Sequence, residues 1–302
     1  MATLAIDARH LTKRYGAERG IDDVTLRVEQ GARFGFLGPN GAGKTTFIRL
    51  ALGLLHPQDG SLSVLGHDIR TDRMRALAEV GYLPGELGLY ASLTGRRTLD
   101  VLGSLHPRPA VARAELCDLL DMTEADLRRK VRQYSRGMKQ KLGLIAALQH
   151  LPPLAILDEP SGGLDPLIQL RLIDWLRERS EQGMTVFFSS HVLAEVEALC
   201  DRVAMVREGR LLMVRGIDEL GIGRIRSVDV RFASAVDPER YRATGVQDVR
   251  VSDDGRTHRF TLSSPPGPLI AALDRLDVED LVISRMSLED AVRVHYDGPP
   301  PT

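Results

Sequence analysis

The segment Gly38-Pro-Asn-Gly-Ala-Gly-Lys-Thr-Thr46 matches G-x-x-x-x-G-K-[ST], the spacing of a phosphate-binding loop. Glycines at these positions let successive backbone N–H groups point at one anion, and the helix that follows adds its positive N-terminal end. We expect Lys44 to reach the β- and γ-phosphates of a nucleotide and the Thr45 hydroxyl to bind Mg²⁺. The predicted nucleotide-binding residues are Gly38, Pro39, Asn40, Gly41, Ala42, Gly43, Lys44, Thr45 and Thr46.

Two acids end a second apolar segment, Leu154-Ala-Ile-Leu-Asp-Glu159. Parallel strands deliver their C-terminal residues to one edge of a sheet, where ligands bind. We therefore expect Asp158 to hold Mg²⁺ from the side opposite Thr45, and Glu159 to lie near a water in line with the γ-phosphate. Positioning that water and accepting its proton is worth about 10²–10⁴ in rate. Two solvated acids at a strand end are the simpler interpretation, which the neighbouring phosphate loop disfavours.

Two further segments fit the same chemistry. His191 follows the apolar strand that covers residues 185–189, where a donor can hold the γ-phosphate and orient Glu159. The segment Tyr134-Ser-Arg-Gly-Met-Lys-Gln-Lys141 opens a helix, with Ser135 as a reasonable N-cap and Gly137 permitting close approach to a ligand. A phosphate that already fills the first loop cannot also bind at this second helix start. The arrangement therefore suggests that a second chain takes part.

The elements around these residues alternate between strands and helices. Strands are predicted at residues 4–7, 23–29, 33–37, 154–157 and 185–189. Helices are predicted from the loop to about Leu54 and from Pro166 to about Ser180. Continuous apolar strands alternating with helices indicate a parallel sheet covered on both faces, which is an α/β fold.

Residues 92 to 150 differ, because they show helical patterns and no clear strand. Helices are predicted at 94–105, 110–120, 124–133 and 135–149, which indicates a helical subdomain at about 87–150. After residue 216 the order becomes β-α-β-β-α-β, followed by a last helix from Leu288 to about His295. The predicted domains are therefore 1–216 and a small α+β, ferredoxin-like domain at 217–302.

Composition narrows the class of protein. The 302 residues include 43% hydrophobic and 27% charged side chains, typical of a soluble globular protein, and no apolar run approaches the ~20 residues of a membrane span. The formal net charge is −1, so a general attraction to nucleic acid is not indicated. The first ten residues lack a basic region followed by an apolar one, which argues against secretion. Cys117 and Cys200 are expected to be reduced and buried.

Residues 1 to about 216 resemble the nucleotide-binding domain of ABC (ATP-binding cassette) transporters. The motifs stand in family order: Walker A at 38–46, the signature at 134–138, Walker B at 154–159, the D-loop at 162–165 and the switch histidine at His191. The resemblance implies a P-loop NTPase fold with ATP and Mg²⁺ as cofactors. It also implies a head-to-tail homodimer in which each ATP lies between one chain's P-loop and the other's Ser135 and Gly137. Tyr15 stands where the family stacks an aromatic ring on adenine, and Asp165 belongs to the nucleotide-binding set.

Three places depart from the family pattern. The signature has Tyr134, Arg136 and Met138 where leucine, the first glycine and glutamine are usual, and the D-loop has Gly162 where serine is common. The segment Gly81-Tyr-Leu-Pro-Gly-Glu-Leu87 stands at the Q-loop without a glutamine. Glu86 is expected either to substitute for it or to belong to a loop that only couples to the membrane partner.

The motif spellings and the C-terminal extension resemble ATPase subunits of bacterial drug- and antibiotic-export systems. The resemblance implies a peripheral protein at the cytoplasmic face of the cell membrane that powers a separate six-helix permease. One alternative is a soluble ABC ATPase acting on ribosomes or DNA. Another is a regulatory role for the C-terminal domain, which is compatible with transport.

Overall fold

The computed structural model describes residues 3–16, 18–220, 226–242 and 244–285. The chain divides into two compact units, Met1–Arg215 and Gly216–Thr302, a division one residue before the predicted boundary. No helix within the described ranges is both long and apolar enough to cross a bilayer.

The first unit combines ten strands and eight α-helices among its described residues. Its strands are β1 (Leu4–Tyr15), β2 (Glu18–Glu29), β3 (Arg33–Leu37), β4 (Asp59–Val64), β5 (His67–Asp68), β6 (Val80–Leu83), β7 (Leu154–Asp158), β8 (Thr185–Ser190), β9 (Arg202–Arg207) and β10 (Arg210–Gly216). Its helices are α1 (Lys44–Ala51), α2 (Arg73–Ala78), α3 (Gly95–Gly103), α4 (Arg113–Leu119), α5 (Glu124–Arg128), α6 (Arg136–Leu148), α7 (Pro166–Glu181) and α8 (Leu193–Leu199).

The central sheet has the strand order β10-β9-β3-β8-β7-β6. From β9 to β6, each strand in this order pairs in parallel with the next. Alternation puts Phe36 on the face where it packs against Phe47 of α1. Gly35 lies on the other face, where an added Cβ would clash with Val196 of α8. Helices therefore cover both faces, which confirms the predicted α/β class.

A second, antiparallel sheet has the order β2-β1-β4-β5. The prediction of strands at 4–7 and 23–29 found only part of it, since β1 and β2 are twelve residues each. The exposed positions of β1 carry polar side chains such as Arg9 and His10, and these interrupt the apolar alternation on which the prediction rested.

The helical part contains α3 to α6, as predicted, but the continuous helix at 124–133 is wrong. Helix α5 ends at Arg128, and a separate 3₁₀ turn covers Val131–Gln133. Between them the chain is extended, because the Arg129 carbonyl accepts a hydrogen bond from Gly95 N at 3.1 Å and Val131 N donates to the Leu93 carbonyl at 2.9 Å. Tertiary hydrogen bonds thus replace one turn of helix.

The second unit has the predicted β-α-β-β-α-β order. Its elements are β11 (Arg226–Phe232), α9 (Glu239–Arg242), β12 (Val246–Val251), β13 (Thr257–Leu262), α10 (Gly267–Leu273) and β14 (Val278–Arg285). The strands pair antiparallel in the order β12-β13-β11-β14. Phe232, Tyr241 and Phe260 form the aromatic part of the core. The predicted helix at 288–295 lies outside the described residues.

Candidate nucleotide site

The glycine loop follows β3 and leads directly into α1, as the sequence predicts. Gly41 and Gly43 have φ angles of +79° and +103°, in the left-handed region that favours glycine. A side chain at Gly43 would also clash with the carbonyl of Gly20. Gly20 was not among the predicted residues, although its carbonyl lies against this part of the loop.

Lys44 begins α1 and is 7% exposed. Its Nζ donates hydrogen bonds to the carbonyls of Gly38 at 2.6 Å and Pro39 at 3.3 Å. The same Nζ lies 3.5 Å from Oε1 of Glu159. The ammonium group is therefore held at the mouth of the loop, where the predicted β- and γ-phosphates would replace some of these contacts.

Asp158 ends β7 and is 2% exposed. The Thr45 hydroxyl donates to its Oδ2 at 3.1 Å, and the Ser189 hydroxyl donates to its Oδ1 at 2.9 Å. Burial raises the pKa of Asp158, while the hydrogen bonds from Ser189 and Thr45 oppose that rise. Ser189 was not among the predicted residues, but its pairing with Asp158 in adjacent parallel strands explains its position.

Glu159 and His191 are hydrogen-bonded, with 2.7 Å between Oε2 and Nδ1. The backbone of Glu159 has a φ of +52°, which is uncommon for a residue with a long side chain. Its N–H donates to the Ser189 carbonyl at 2.9 Å, which helps to fix this conformation. Backbone strain of this kind clusters at functional sites. Among the described residues, Oε1 of Glu159 has no hydrogen-bond partner, and it lies on the side of Lys44.

A cavity of about 390 Å³ lies between the glycine loop and the two acids, Asp158 and Glu159. Its lining comprises residues 39–46 together with Tyr15, Gly20, Gly85, Asp158 and Glu159. Tyr15 lies at its edge with 42% of its surface exposed, available for an aromatic contact. Gly38 contributes through its carbonyl. Gly85 lies against Asp158, since an added Cβ would be 3.3 Å from Oδ2, whereas Glu86 is exposed and outside this lining.

The other predicted nucleotide ligands lie outside this cavity. Ser135 caps α6 by accepting a hydrogen bond from Met138 N at 3.2 Å, and Asp165 caps α7 by accepting one from Ile168 N at 3.0 Å. A Cβ at Gly137 would be 2.5 Å from the carbonyl of Gly163, so this glycine permits close approach of the D-loop within the chain. Ser135, Gly137 and Asp165 are therefore not brought to the P-loop of their own chain.

Gln140 is a functional candidate that the sequence analysis missed. It is 7% exposed, and its Nε2 donates to the carbonyls of Glu159 at 3.2 Å and Pro160 at 2.9 Å. The turn that carries Glu159 is thereby tied to α6, the helix that begins at the signature. No signal in the sequence marked it, because Gln140 stands between Lys139 and Lys141 in the polar first half of the helix.

Comparison with known proteins identifies the family. Residues 21–162 match the ABC transporter family. A bacitracin transport ATP-binding protein of Bacillus licheniformis is 33% identical over an alignment of 306 positions, which covers 96% of this chain and 96% of that protein. The chain belongs to the ATP-binding subunits of ABC transporters. It is an ATPase of that family, as the motifs predicted.

Two further matches agree with this assignment. A daunorubicin resistance ATP-binding protein of Streptomyces coeruleorubidus is 39% identical over 224 residues, covering 73% of this chain and 71% of that protein. The solved structure of an ATP-binding subunit of an ABC transporter has a TM-score of 0.67 and 29% identity, covering 72% of this chain and 92% of that one.

Proposed function

We propose that this chain hydrolyses ATP to drive a separate membrane permease that exports an antibiotic or another lipophilic compound. The relatives named for bacitracin transport and daunorubicin resistance support this substrate class. The proposal of ATP hydrolysis rests on one observation. Four side chains converge at one sheet edge: Lys44, Asp158, Glu159 and His191. Nothing comparable in these matches favours a soluble ATPase that acts on ribosomes or DNA.

The nucleotide is held by residues 39–46, with the backbone N–H groups and Lys44 at its phosphates. Tyr15 stacks on the adenine ring at the edge of the cavity. The Gly41 and Gly43 conformations pre-form the loop, so little ordering accompanies binding. Lys44 exchanges its carbonyl contacts for phosphate oxygens without leaving its buried position.

The residues beside the phosphates fit Mg²⁺. Thr45 Oγ1 and Asp158 Oδ2 are hard oxygen ligands that already lie 3.1 Å apart. Asp158 is a buried acid whose carboxylate form is disfavoured in the nucleotide-free chain, so a cation there would offset its burial. When bound, Mg²⁺ would neutralise charge on the phosphate oxygens.

Glu159 is the catalytic base in this proposal. Its Oε1 has no hydrogen-bond partner within the described residues and can accept the proton of an attacking water. His191 holds Oε2 at 2.7 Å and so fixes which carboxylate oxygen faces the water. Gln140 holds the backbone of the same turn, which restricts rotation of the whole group.

The active form is a head-to-tail homodimer. Ser135, Gly137 and Asp165 lie outside the P-loop cavity of their own chain, which supports their action on the nucleotide of the partner subunit. ATP would close the two subunits, and hydrolysis would reopen them and move the permease. We infer that the dimer and its permease act at the cytoplasmic face of the membrane.

The test is Glu159→Gln, which preserves side-chain volume and removes the base. We expect ATP binding to persist, turnover to fall by about 10²–10⁴, and an ATP-dependent dimer to accumulate in analytical ultracentrifugation. Glu181→Gln, at an exposed acid on α7, is the matched control and should hydrolyse ATP normally. Near-normal turnover by Glu159→Gln would remove Glu159 as the base.

The permease is tested separately by solubilising membranes of the source cells and purifying the full chain. We expect a protein with several membrane spans to co-purify in an amount that falls when ATP is hydrolysed. Purification with ribosomes or DNA alone would contradict the transporter proposal.

A further inference from the structure

The tight turn between β9 and β10 contacts the glycine loop. Glu208 and Gly209 form this turn with φ angles of +50° and +77°, a combination typical of two-residue hairpins. The Gly209 N–H donates to the Ala42 carbonyl at 3.0 Å, and the Gly209 carbonyl accepts from Asp22 N at 2.7 Å. Both backbone polar groups of one turn residue are thus used, one by the glycine loop and one by β2.

Asp22 joins this hairpin to the neighbouring strand β1. Its side chain is 11% exposed, and both of its carboxylate oxygens accept hydrogen bonds. Oδ1 accepts from Arg14 Nη2 at 2.8 Å, while Oδ2 accepts from Arg210 Nη2 at 2.9 Å and from Arg210 Nε at 3.1 Å. The hydrogen bonds from Arg14 and Arg210 lower the pKa of Asp22, so the carboxylate is charged at neutral pH. One acid therefore fixes the spacing between β1 and β10.

Each arginine is next in sequence to a residue that lines the nucleotide cavity or binds its lining. Arg14 precedes Tyr15, which lines the cavity. Arg210 follows Gly209, the turn residue bound to the glycine loop. Within the described part of the chain, the three charged residues lie outside that lining. The Asp22 carboxylate therefore acts on the cavity through its neighbours.

The chain is closely packed at Gly20, between Asp22 and the tip of the β1–β2 hairpin. A Cβ on Gly20 would be 2.9 Å from Tyr15 Cε2 and 3.0 Å from Thr46 Cγ2, so this part of β2 lies against both the ring and α1. The Gly20 carbonyl also lies against the glycine loop, since a Cβ on Gly43 would be 2.3 Å from it. A shift of this part of β2 would move the ring and the loop relative to each other.

We propose that Asp22 is a positioning residue for ATP, which fixes the spacing between the adenine contact at Tyr15 and the glycine loop. The assignment rests on the proposed function, in which Tyr15 meets the adenine ring and the loop holds the phosphates. The ion pairs order these two parts in the free chain, so the nucleotide does not have to order them when it binds. Affinity therefore depends on Asp22, whereas turnover does not, because other contacts hold the Glu159–His191 pair.

The experiment uses four variants of the full chain: Asp22→Asn, Arg14→Gln, Arg210→Gln, and Asp22→Asn combined with Arg210→Gln. Asp23→Asn is the matched control, because Asp23 is the next residue, is exposed and pairs with His10 instead. Three quantities are measured for each: the dissociation constants of ATP and of inorganic tripolyphosphate, with Mg²⁺ omitted to prevent turnover, and the hydrolysis rate at saturating ATP with Mg²⁺. Tripolyphosphate has no adenine ring, so it reports on the loop alone.

We expect Asp22→Asn to raise the dissociation constant of ATP about tenfold, as for two partly exposed ion pairs lost together, and to keep the hydrolysis rate at saturating ATP. Arg210→Gln should weaken the binding of both ligands, whereas Arg14→Gln should weaken that of ATP alone. The double variant should bind ATP no more weakly than Asp22→Asn, since both changes break the same pair. Asp23→Asn should match the parent.

Unchanged ATP affinity in Asp22→Asn would overturn the proposal and leave the carboxylate a structural role only, visible as a lower Tm. An equal loss of ATP and tripolyphosphate affinity in Arg14→Gln would also overturn it, because that pair would then not act at the adenine contact. If Asp22→Asn does not fold, the comparison of Arg14→Gln with Arg210→Gln decides the proposal in its place. If the parent binds ATP no better than tripolyphosphate, the adenine contact of the proposed function fails, and the role of Asp22 fails with it.

Discussion

Helices α1 and α6 both begin next to a glycine. The polar side chains at these two helix starts differ in how many contacts they make within the described part of the chain. Lys44 of α1 is buried and hydrogen-bonded to loop carbonyls, and Thr45 contacts Asp158. Ser135 and Arg136 of α6 are exposed, and the Arg136 guanidinium has no partner within the described ranges.

The difference shows which site one chain can form alone. The α1 site has its loop, cation and acids in place before a ligand arrives, as expected for a nucleotide-binding site. The start of α6 has Ser135 as its cap and no acid in its first turn, but no phosphate loop of its own precedes it. We infer that affinity for ATP belongs to the first site and that dimer formation belongs to the second.

The largest expected effect comes from removing the cation of the α1 site. Lys44→Ala should abolish detectable nucleotide binding, because it removes the group nearest the phosphates and leaves Glu159 without its neighbouring charge. Isothermal titration with ATP measures this. Lys130→Ala, at an exposed lysine, is the control and should bind ATP normally. Parental affinity in Lys44→Ala would contradict the role given to the loop.

The structure brings together the residues that the sequence predicted for the α1 site, because glycine spacing and an apolar strand are local signals. Asp158 and Glu159 could be placed because parallel strands share an edge. Gly20, Ser189 and Gln140 were missed, since each acts through a contact with a residue far along the chain. For Gln140 that contact spans 19 residues and joins two elements.

The predicted helices and strands also agree with the structure where the signals are local and differ where distant contacts decide. The boundaries of β3 were predicted to the residue, because clear turn signals stand on both sides of it. The break between α5 and the 3₁₀ turn was missed, because hydrogen bonds from Gly95 and Val131 decide it. The length of β1 was missed because its exposed face is polar.

A second prediction concerns the contact between the signature and the D-loop. Gly137→Ala places a Cβ 2.5 Å from the Gly163 carbonyl, so the backbone must shift. We expect a loss of about 1–3 kcal/mol in unfolding free energy, the usual cost of overpacking. We also expect weaker ATP-driven dimer formation in the Glu159→Gln background, with monomer ATP affinity kept.

The control for this change is Gly267→Ala. Gly267 also begins a helix, α10, but an added Cβ would meet nothing within 4 Å. Alanine there should leave stability unchanged or raise it slightly. Denaturant unfolding of the two variants therefore separates the loss of a specific contact from a general effect of replacing glycine at a helix start. Equal stability in both would remove the contact with Gly163 as the reason for Gly137.

The smallest expected effect concerns Asp158, the buried acid of the α1 site. Burial raises the pKa of Asp158, so its carboxylate lowers the stability of the nucleotide-free chain at pH values above that raised pKa. Asp158→Asn should therefore raise the Tm of the nucleotide-free protein by about 2 °C at pH 7. The gain should shrink as the pH falls toward 3.8, the usual pKa of this side chain, where the parental acid is neutral as well.

The same substitution should remove the additional rise in Tm that ATP with Mg²⁺ gives the parent, because Asn supplies no charge to the cation. Differential scanning fluorimetry with and without nucleotide measures both effects. Asp174→Asn is the control, because Asp174 is an exposed acid of α7 that pairs with Arg177 three residues later, and it should leave both values unchanged. A lower Tm for nucleotide-free Asp158→Asn would mean that the hydrogen bonds from Thr45 and Ser189 outweigh burial, and that this acid stabilises the empty site instead of being held ready for a cation.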